Sequence, residues 1–129
     1  MIVDSSALVA VLMAEPEADE LSDLLESRPF SVSAATLTEC LIVLRGNGGE
    51  AKALALDELL ELTRATVVPL DETQARLAGH AYARYGRGSG HPARLNYGDC
   101  FSYALAISRD EPLLFKGDDF IHTDVRRVE

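Results

Sequence analysis

Three acidic residues lie in stretches of the sequence that are otherwise free of charge. Asp4, Glu39 and Asp99 are each the one charged residue in a largely apolar segment of 14 or 16 residues. Burying a lone carboxylate in such a segment is unfavourable unless it is paired or binds a cation. Three of them favour one shared explanation, a cation held between carboxylates. Oxygen ligands suit Mg²⁺ or Mn²⁺, and ions held in this way commonly serve phosphate chemistry.

Each of the three acids also has a structural explanation when it is considered alone. Asp4 is placed to cap a first helix, and Asp99 lies in the first turn of a later one, where the helix dipole favours an acid. Glu39 completes a capping-box pattern that begins at Thr36. If that helix begins at Ser33 instead, Glu39 lies in mid-helix on the apolar stripe. We therefore expect a shared site rather than three independent caps.

A fourth acidic element, Gly117-Asp118-Asp119-Phe120, follows the last strongly apolar strand. Gly-Asp-Asp also suits a solvated turn. As a contributor to the cation site, Asp118 is slightly favoured because it is nearer the strand end, and Asp119 is the alternative. The other metal-ligating residue types do not predict a zinc site, because neither the three histidines nor the two cysteines show zinc-binding spacing.

Positive charge is concentrated in one part of this acidic chain. The formal net charge is −9, yet the segment from Thr73 to Gly98 has no acid and four arginines. These are Arg76, Arg84, Arg87 and Arg94, and the same segment carries Tyr82, Tyr85, Tyr97 and the loop Gly86-Arg87-Gly88-Ser89-Gly90-His91-Pro92. Arginines bind a phosphate backbone and tyrosines stack on bases, so the segment indicates a polyanion surface. A solvated helix face is the alternative for Arg76 and Arg84.

Short apolar runs alternate with helical patterns along the chain, which predicts an α/β sandwich around a mostly parallel sheet. The predicted strands are Met1–Val3, Phe30–Ser33, Thr66–Leu70, Pro112–Phe115 and an edge strand Val125–Val128. The predicted helices are Ala7–Met13, one opened by Pro16, Ala34–Leu44 ending near Gly46–Gly49, one carrying the Leu54–Leu62 stripe, Asp71 to about Tyr85, and Gly98–Ser108. Ligands of such sheets bind at the carboxyl ends of the strands.

Composition places the chain among single-domain globular proteins. Its 129 residues are 47% hydrophobic and 26% charged, which is ordinary for one folded domain. No apolar run reaches the ~18 residues of a membrane helix, and the amino terminus has no basic flank typical of a signal peptide. With two isolated cysteines, we expect a cytoplasmic protein without a disulfide framework.

Four segments, in this order and spacing, resemble the PIN-domain ribonucleases, in particular the VapC toxins of bacterial toxin–antitoxin pairs. They are Met1-Ile2-Val3-Asp4-Ser5-Ser6-Ala7-Leu8, Ser33-Ala34-Ala35-Thr36-Leu37-Thr38-Glu39, Leu95-Asn96-Tyr97-Gly98-Asp99-Cys100-Phe101-Ser102-Tyr103-Ala104-Leu105-Ala106 and Leu113-Leu114-Phe115-Lys116-Gly117-Asp118-Asp119-Phe120. The resemblance implies one three-layer α/β/α PIN domain over residues 1–129. It also implies an endoribonuclease dependent on Mg²⁺ or Mn²⁺ that cleaves structured RNA such as tRNA or ribosomal RNA, forms a homodimer and is inhibited by a VapB-type antitoxin.

Residue by residue, the resemblance assigns Asp4 and Asp99 to the metal-binding aspartates and Glu39 to the glutamate that holds metal or positions the water. Ser5 and Ser6 match small polar residues whose hydroxyls bind a metal-bound water. The fourth acid departs from the family pattern, in which it follows a Thr-Arg pair. Here Phe115-Lys116-Gly117 takes that place, so Asp118 or Asp119 supplies the role. Arg87 and Arg94 are expected to bind substrate.

Three other functions remain open at this stage. A phosphoacceptor receiver domain would use Asp71 and Lys116, although receivers carry paired acids after the first strand and Ser5 follows Asp4 here. A haloacid-dehalogenase-type phosphatase needs a second Asp where this chain has Ser6. A non-catalytic PIN-like module would use the acids for structure or partner binding alone.

Overall fold

A four-stranded sheet forms the centre of the computed structural model, which describes residues 1–129. The strands are β1 (Ile2–Val3), β2 (Ser31–Ser33), β3 (Thr66–Val68) and β4 (Leu113–Leu114). The helices are α1 (Ser5–Leu12), α2 (Ala18–Ser27), α3 (Ala34–Leu62), α4 (Glu72–Tyr85) and α5 (Asp99–Arg109). The strand order is β3-β2-β1-β4, and every pair is parallel.

Successive side chains of each strand pack into two separate hydrophobic cores, one on each face of the sheet. Ile2 and Leu113 belong to a core built with α4 and α5. Their neighbours Val3 and Leu114 belong to a second core built with α1, α2 and α3. Successive strand residues point to opposite faces, so a two-residue strand suffices to join both layers. The three-layer α/β/α prediction is confirmed.

The order of the strands creates a crevice beside β1. The chain passes from β1 to β2 and β3 on one side, whereas β4 pairs with the other side of β1. Such a change of direction opens a crevice at the carboxyl ends of the strands. The backbone N–H of Lys116, just after β4, donates a hydrogen bond of 3.0 Å to the Ser6 hydroxyl at the start of α1. The ends of β1 and β4 are thereby fastened together at that crevice.

Of two sequence predictions about element boundaries, one is confirmed and one is wrong. The helix that begins at Ala34 does break near Gly46–Gly49: Gly49 has a non-helical φ of 70° and ψ of −168°, and α3 consists of the two predicted helices joined at this kink. One glycine is enough to turn the chain, and Leu44 before the kink and Leu56 after it pack in the same core. The edge strand predicted at Val125–Val128 is reduced to a single bridge between Leu113 and Arg127.

The other predicted boundaries that differ from the structure do so by one or two residues. None of the five helices combines the length and the hydropathy needed to span a membrane. Pro16 precedes α2 rather than opening it, since that helix begins at Ala18.

The kink predicts different effects for two glycines of α3. Gly49→Ala should lower the free energy of unfolding by about 1–2 kcal/mol, because a side chain is strained at that backbone conformation. Gly46→Ala is the matched control, since its added Cβ meets nothing within 4 Å. It should be neutral or stabilise by up to about 1 kcal/mol. Urea denaturation measures both, and equal effects would contradict the assignment of the kink to Gly49.

Candidate active site

The Asp4 carboxylate is buried at the carboxyl end of β1 and is held on both oxygens. The side chain is 1% exposed. Its Oδ2 accepts hydrogen bonds from the N–H of Ser6 (3.1 Å) and from the Ser6 hydroxyl (2.7 Å). Its Oδ1 accepts from the Ser102 hydroxyl at 2.6 Å. Asp4 therefore caps α1, as expected for this position. Its second oxygen is held by Ser102 of α5.

Ser102 extends this network to α3. Its Oγ lies 3.1 Å from Oγ1 of Thr36, and both side chains are fully buried. Because the Ser102 proton goes to Asp4, Thr36 is the donor in this second bond. Neither residue was predicted from the sequence to support Asp4. The available signal was spacing: Ser102 is three residues after Asp99, and Thr36 is three before Glu39, so each pair shares a helix face.

Asp99 is the first residue of α5 and takes part in a reciprocal cap. Its Oδ2 accepts from the N–H of Asn96 at 3.0 Å, and its own N–H donates to Oδ1 of Asn96 at 2.9 Å. The capping role expected of Asp99 is present, but it uses one carboxylate oxygen. Asn96 was not recognised from the sequence as the residue that orients this acid, although Asn-x-x-Asp is a recognisable variant of a capping box.

Glu39 has no capping role. The helix begins at Ala34, and the Ser33 hydroxyl is the side chain that caps it, accepting from the N–H of Ala35 at 3.2 Å. Glu39 thus lies in the second turn, and its Oε1 is buried with no hydrogen-bond partner. Burial raises the pKa of Glu39, the neighbouring Ser5 hydroxyl lowers it, and the charge of Asp4 raises it further.

The charges of four acids converge at this edge of the sheet. Burial is the largest cause that raises the pKa of Asp4. It also raises the pKa of Asp99 to about 7, with the N–H of Asn96 opposing and the charges of Asp4, Asp119 and Glu39 adding to the effect. Asp119, in the segment after β4, thus acts on Asp99. Asp118, which the sequence slightly favoured, lines the same cavity as Asp119, and the choice between the two stays a prediction.

The four acids do not form a finished coordination sphere. No three His, Cys, Asp or Glu side chains lie close enough together to surround one ion. The hydrogen bonds explain this arrangement, because Asp4 is held by Ser6 and Ser102 while Asp99 is held by Asn96. Mutual repulsion among like charges also favours separated carboxylates. Rotation of side chains at the rim would be needed to complete a cation site.

The positively charged segment contributes a cavity beside the acids. Arg87, Arg94 and His122 line a cavity of about 240 Å³ together with Asp118 and Asp119. A bridge between Gly86 and Leu95 closes the loop that carries both arginines. Because Asp119 also acts on Asp99, the cavity and the acidic cluster are adjacent.

The remaining arginines and tyrosines divide between surface and core. Arg76 forms an exposed ion pair with Glu72 at 2.9 Å, in keeping with the solvated-face alternative. Arg84 stacks over Tyr85, 4.7 Å from the ring centroid. Tyr97 and Tyr82 are 76% and 43% exposed, but Tyr85 is only 2% exposed. The interpretation of Tyr85 as a base-stacking residue is therefore wrong.

Buried tyrosines fasten the segment that carries Asp119. The hydroxyls of Tyr103 and Tyr85 both donate to Oδ1 of Asp124, at 2.6 and 3.3 Å. Tyr85 also packs edge-on against His91 of the arginine loop, with ring centroids 4.8 Å apart. Tyr85 is thus a structural contact between the two segments that flank the cavity.

Comparison with known proteins agrees with this arrangement. The family model of the PIN domain matches residues 1–126. The chain belongs to the PIN-domain family. Ribonuclease VapC28 of Mycobacterium tuberculosis is 54% identical to this PIN domain over 129 residues, which cover 99% of this chain and 97% of that protein. Among PIN domains, the chain is therefore of the VapC type.

Two solved structures share the fold of this PIN domain. One is VapC20 of Mycobacterium tuberculosis, described as a Sarcin-Ricin loop cleaving toxin, with a TM-score of 0.80, 19% identity, and coverage of 98% of this chain and 97% of that one. The other is VapBC2 of Rickettsia felis bound to a DNA fragment from their promoter, with a TM-score of 0.75, 14% identity, and coverage of 99% and 96%. Membership of the PIN-domain family excludes the receiver-domain and phosphatase alternatives. The lysine that a receiver domain would use, Lys116, is also ion-paired with Glu15 and Glu17.

The buried acids predict how stability changes with pH when no divalent cation is present. The pKa of Asp99 is about 7 in the folded protein against an ordinary value of 3.8. Between these values the folded state keeps a proton that the unfolded state releases, so stability falls as pH rises. With chelator, we expect Tm to be roughly 5 °C lower at pH 8 than at pH 5.5.

Two variants separate this effect from other titrations. Asp99→Asn should reduce the difference in Tm between the two pH values, because the amide does not titrate, whereas the raised pKa values of Asp4 and Glu39 should keep part of it. Asp57→Asn, on the exposed surface of α3, is the matched control and should keep it. Differential scanning calorimetry measures all three proteins, and an unchanged pH response in Asp99→Asn would contradict the assignment.

Proposed function

We propose that this PIN domain is an endoribonuclease that depends on Mg²⁺ or Mn²⁺ and acts as the toxin of a type II toxin–antitoxin pair. The observation that carries the proposal is that the charges of Asp4, Glu39 and Asp119 all act on Asp99 at one crevice. The 54% identity to a protein named ribonuclease VapC28, across nearly the whole of both chains, supports the ribonuclease activity.

The residues fit a hard divalent cation. Every atom in the cluster that could bind a metal ion is a carboxylate or hydroxyl oxygen, the ligand type that Mg²⁺ and Mn²⁺ prefer. Oε1 of Glu39 is a buried acceptor without a partner, which is an unfavourable arrangement that a cation would relieve. The like charges that raise the pKa of Asp99 would be offset in the same way.

In this mechanism Asp4, Asp99 and Asp119 would hold the cation, with Glu39 beside them. When bound, the cation polarises the scissile phosphate and favours ionisation of an attacking water. Ser6 and Ser102 fix the orientation of Asp4, and Asn96 fixes that of Asp99. Oε1 of Glu39 is the free acceptor for the proton of the water. In-line attack by water leaves a 5′-phosphate and a 3′-hydroxyl.

The hydroxyls after Asp4 divide their roles. Ser6 is occupied within the protein, because it donates to Asp4 and accepts from the N–H of Lys116. Its contribution is therefore to position Asp4. Ser5 lies beside Glu39 and is the hydroxyl we assign to a water in the site.

The substrate we propose is structured cellular RNA, such as tRNA or ribosomal RNA. Arg87 and Arg94 in the cavity beside Asp119 would bind backbone phosphates. The exposed ring of Tyr97 would stack on an unpaired base. The protein as a whole carries a net charge of −9, so RNA binding should be weak without the divalent cation.

We also propose inhibition by a VapB-type antitoxin, a homodimeric assembly and action in the cytoplasm. A net charge of −9 and the acidic crevice favour a partner segment with a basic residue that enters the crevice. The similarity in fold to a VapC chain crystallised as VapBC2 supports the antitoxin part of this proposal.

Cleavage of total cellular RNA tests the activity. Antitoxin-free protein should give discrete cuts with Mg²⁺ or Mn²⁺, and the fragments should carry 5′-phosphates. Chelator and Asp99→Asn should each reduce the rate by at least about 10²-fold, since removing a metal ligand removes the activation of water. Folded protein that makes no cut would favour the non-catalytic PIN-like module, and 2′,3′-cyclic phosphate ends would contradict attack by water.

The fourth acid can be decided by a pair of matched substitutions. Asp119→Asn should lower cleavage about as much as Asp99→Asn, because the charge of Asp119 acts on Asp99. Asp118→Asn, one residue away, should keep most of the activity. Initial rates at several Mn²⁺ concentrations measure both, and the reverse order would restore Asp118 as the metal-binding acid.

A further inference from the structure

The Glu39 carboxylate packs directly against the backbone of Gly98. If Gly98 had a Cβ, that atom would lie 2.6 Å from Cδ of Glu39 and 2.8 Å from its Oε1, and Oε2 would be nearer still. Real Cβ atoms essentially never come within 3.0 Å of another heavy atom in this way. Any side chain at position 98 would therefore compete with the Glu39 carboxylate for the same space.

The backbone conformation at position 98 does not require glycine. Its φ of −64° and ψ of −37° are ordinary right-handed helical values that every L-residue adopts. It immediately precedes Asp99, the first residue of α5, and alanine is favoured over glycine in such a conformation. The geometric requirement at this position is consequently the space occupied by Glu39.

From this geometry we infer that Gly98 is a positioning residue for the cation site: its missing side chain lets the Glu39 carboxylate lie beside Asp99. The inference rests on the proposed function, because it concerns where Glu39 lies relative to the other three acids. The atoms that a Cβ would strike are the far end of a flexible side chain. A substitution should therefore move the carboxylate and leave the backbone in place.

A displaced carboxylate has somewhere to go. Glu39 and Gly98 line a cavity of about 270 Å³ whose other walls include Ile42, Tyr97 and Phe101. Rotation of Glu39 into this opening would relieve the contact without disturbing either core. The chain would remain folded while one acid of the site was moved away.

Gly98→Ala tests the inference through two readouts that should separate. The Tm of the protein in chelator should be unchanged or slightly higher, because the backbone conformation suits alanine. The affinity for Mn²⁺, measured by isothermal titration calorimetry, should fall by about tenfold or more, as it does when a residue that orients a metal ligand is changed. RNA cleavage at limiting Mn²⁺ should fall in parallel.

Gly79→Ala is the matched control. Gly79 lies within α4, and a Cβ there would meet nothing within 4 Å. This variant should keep both the affinity for Mn²⁺ and the cleavage rate of the wild-type protein.

A compensating substitution tests the cause. Glu39→Asp shortens the side chain by one methylene and withdraws the carboxylate from position 98. Adding Gly98→Ala to Glu39→Asp should then cost little further Mn²⁺ affinity, so the two changes should be strongly non-additive.

The remaining outcomes each overturn one statement. Wild-type affinity in Gly98→Ala, or additive losses in the double variant, would overturn the positioning role. A fall in Tm that matches the loss of affinity would assign Gly98 a purely structural role. Wild-type protein that binds no Mn²⁺ would overturn the proposed function, and this inference with it.

Discussion

The buried carboxylate of Asp4 is the constraint on which the site depends. A charge at the end of a central strand is tolerated only when both of its oxygens are hydrogen-bonded. Ser6 and Ser102 meet this requirement from two different helices. The hydrogen bond from Ser102 to Asp4 also fixes the position of α5 along β1. The same helix begins with Asp99, which lies at the same crevice. One buried acid thus sets the position of the next.

The neighbouring acids add a second constraint, because the fold brings like charges together. Burial and mutual repulsion both favour the protonated forms, and the raised pKa values of Asp4, Glu39 and Asp99 express that cost. A fold selected for stability alone would place apolar residues here. Under the proposed function, a bound cation would offset these unfavourable charges.

Much of this site was predictable because charge is common in the chain and absent around three acids. The fold class followed from the alternation of short apolar runs with helical patterns, and the sheet confirmed it. The effect of the Asp119 charge on Asp99 was not predictable, since it depends on how the chain turns after Gly117, which has a φ of 94°. The hydrogen bonds by which Ser102 and Thr36 hold Asp4 could not be predicted either. In the sequence, a buried serine or threonine in a helix looks like any small core residue until its hydrogen-bond partner is known.

Tyr85 has a consequence for how the molecule moves. Its backbone oxygen accepts from the N–H of Leu95 at the base of the arginine loop, its ring contacts His91 in that loop, and its hydroxyl reaches Asp124 beyond Asp119. The arginine loop and the acid-bearing segment are therefore linked through one aromatic ring in the core. Restricting the motion of the loop would restrict that of the segment, so the order of the acidic crevice is tied to the order of the loop beside it.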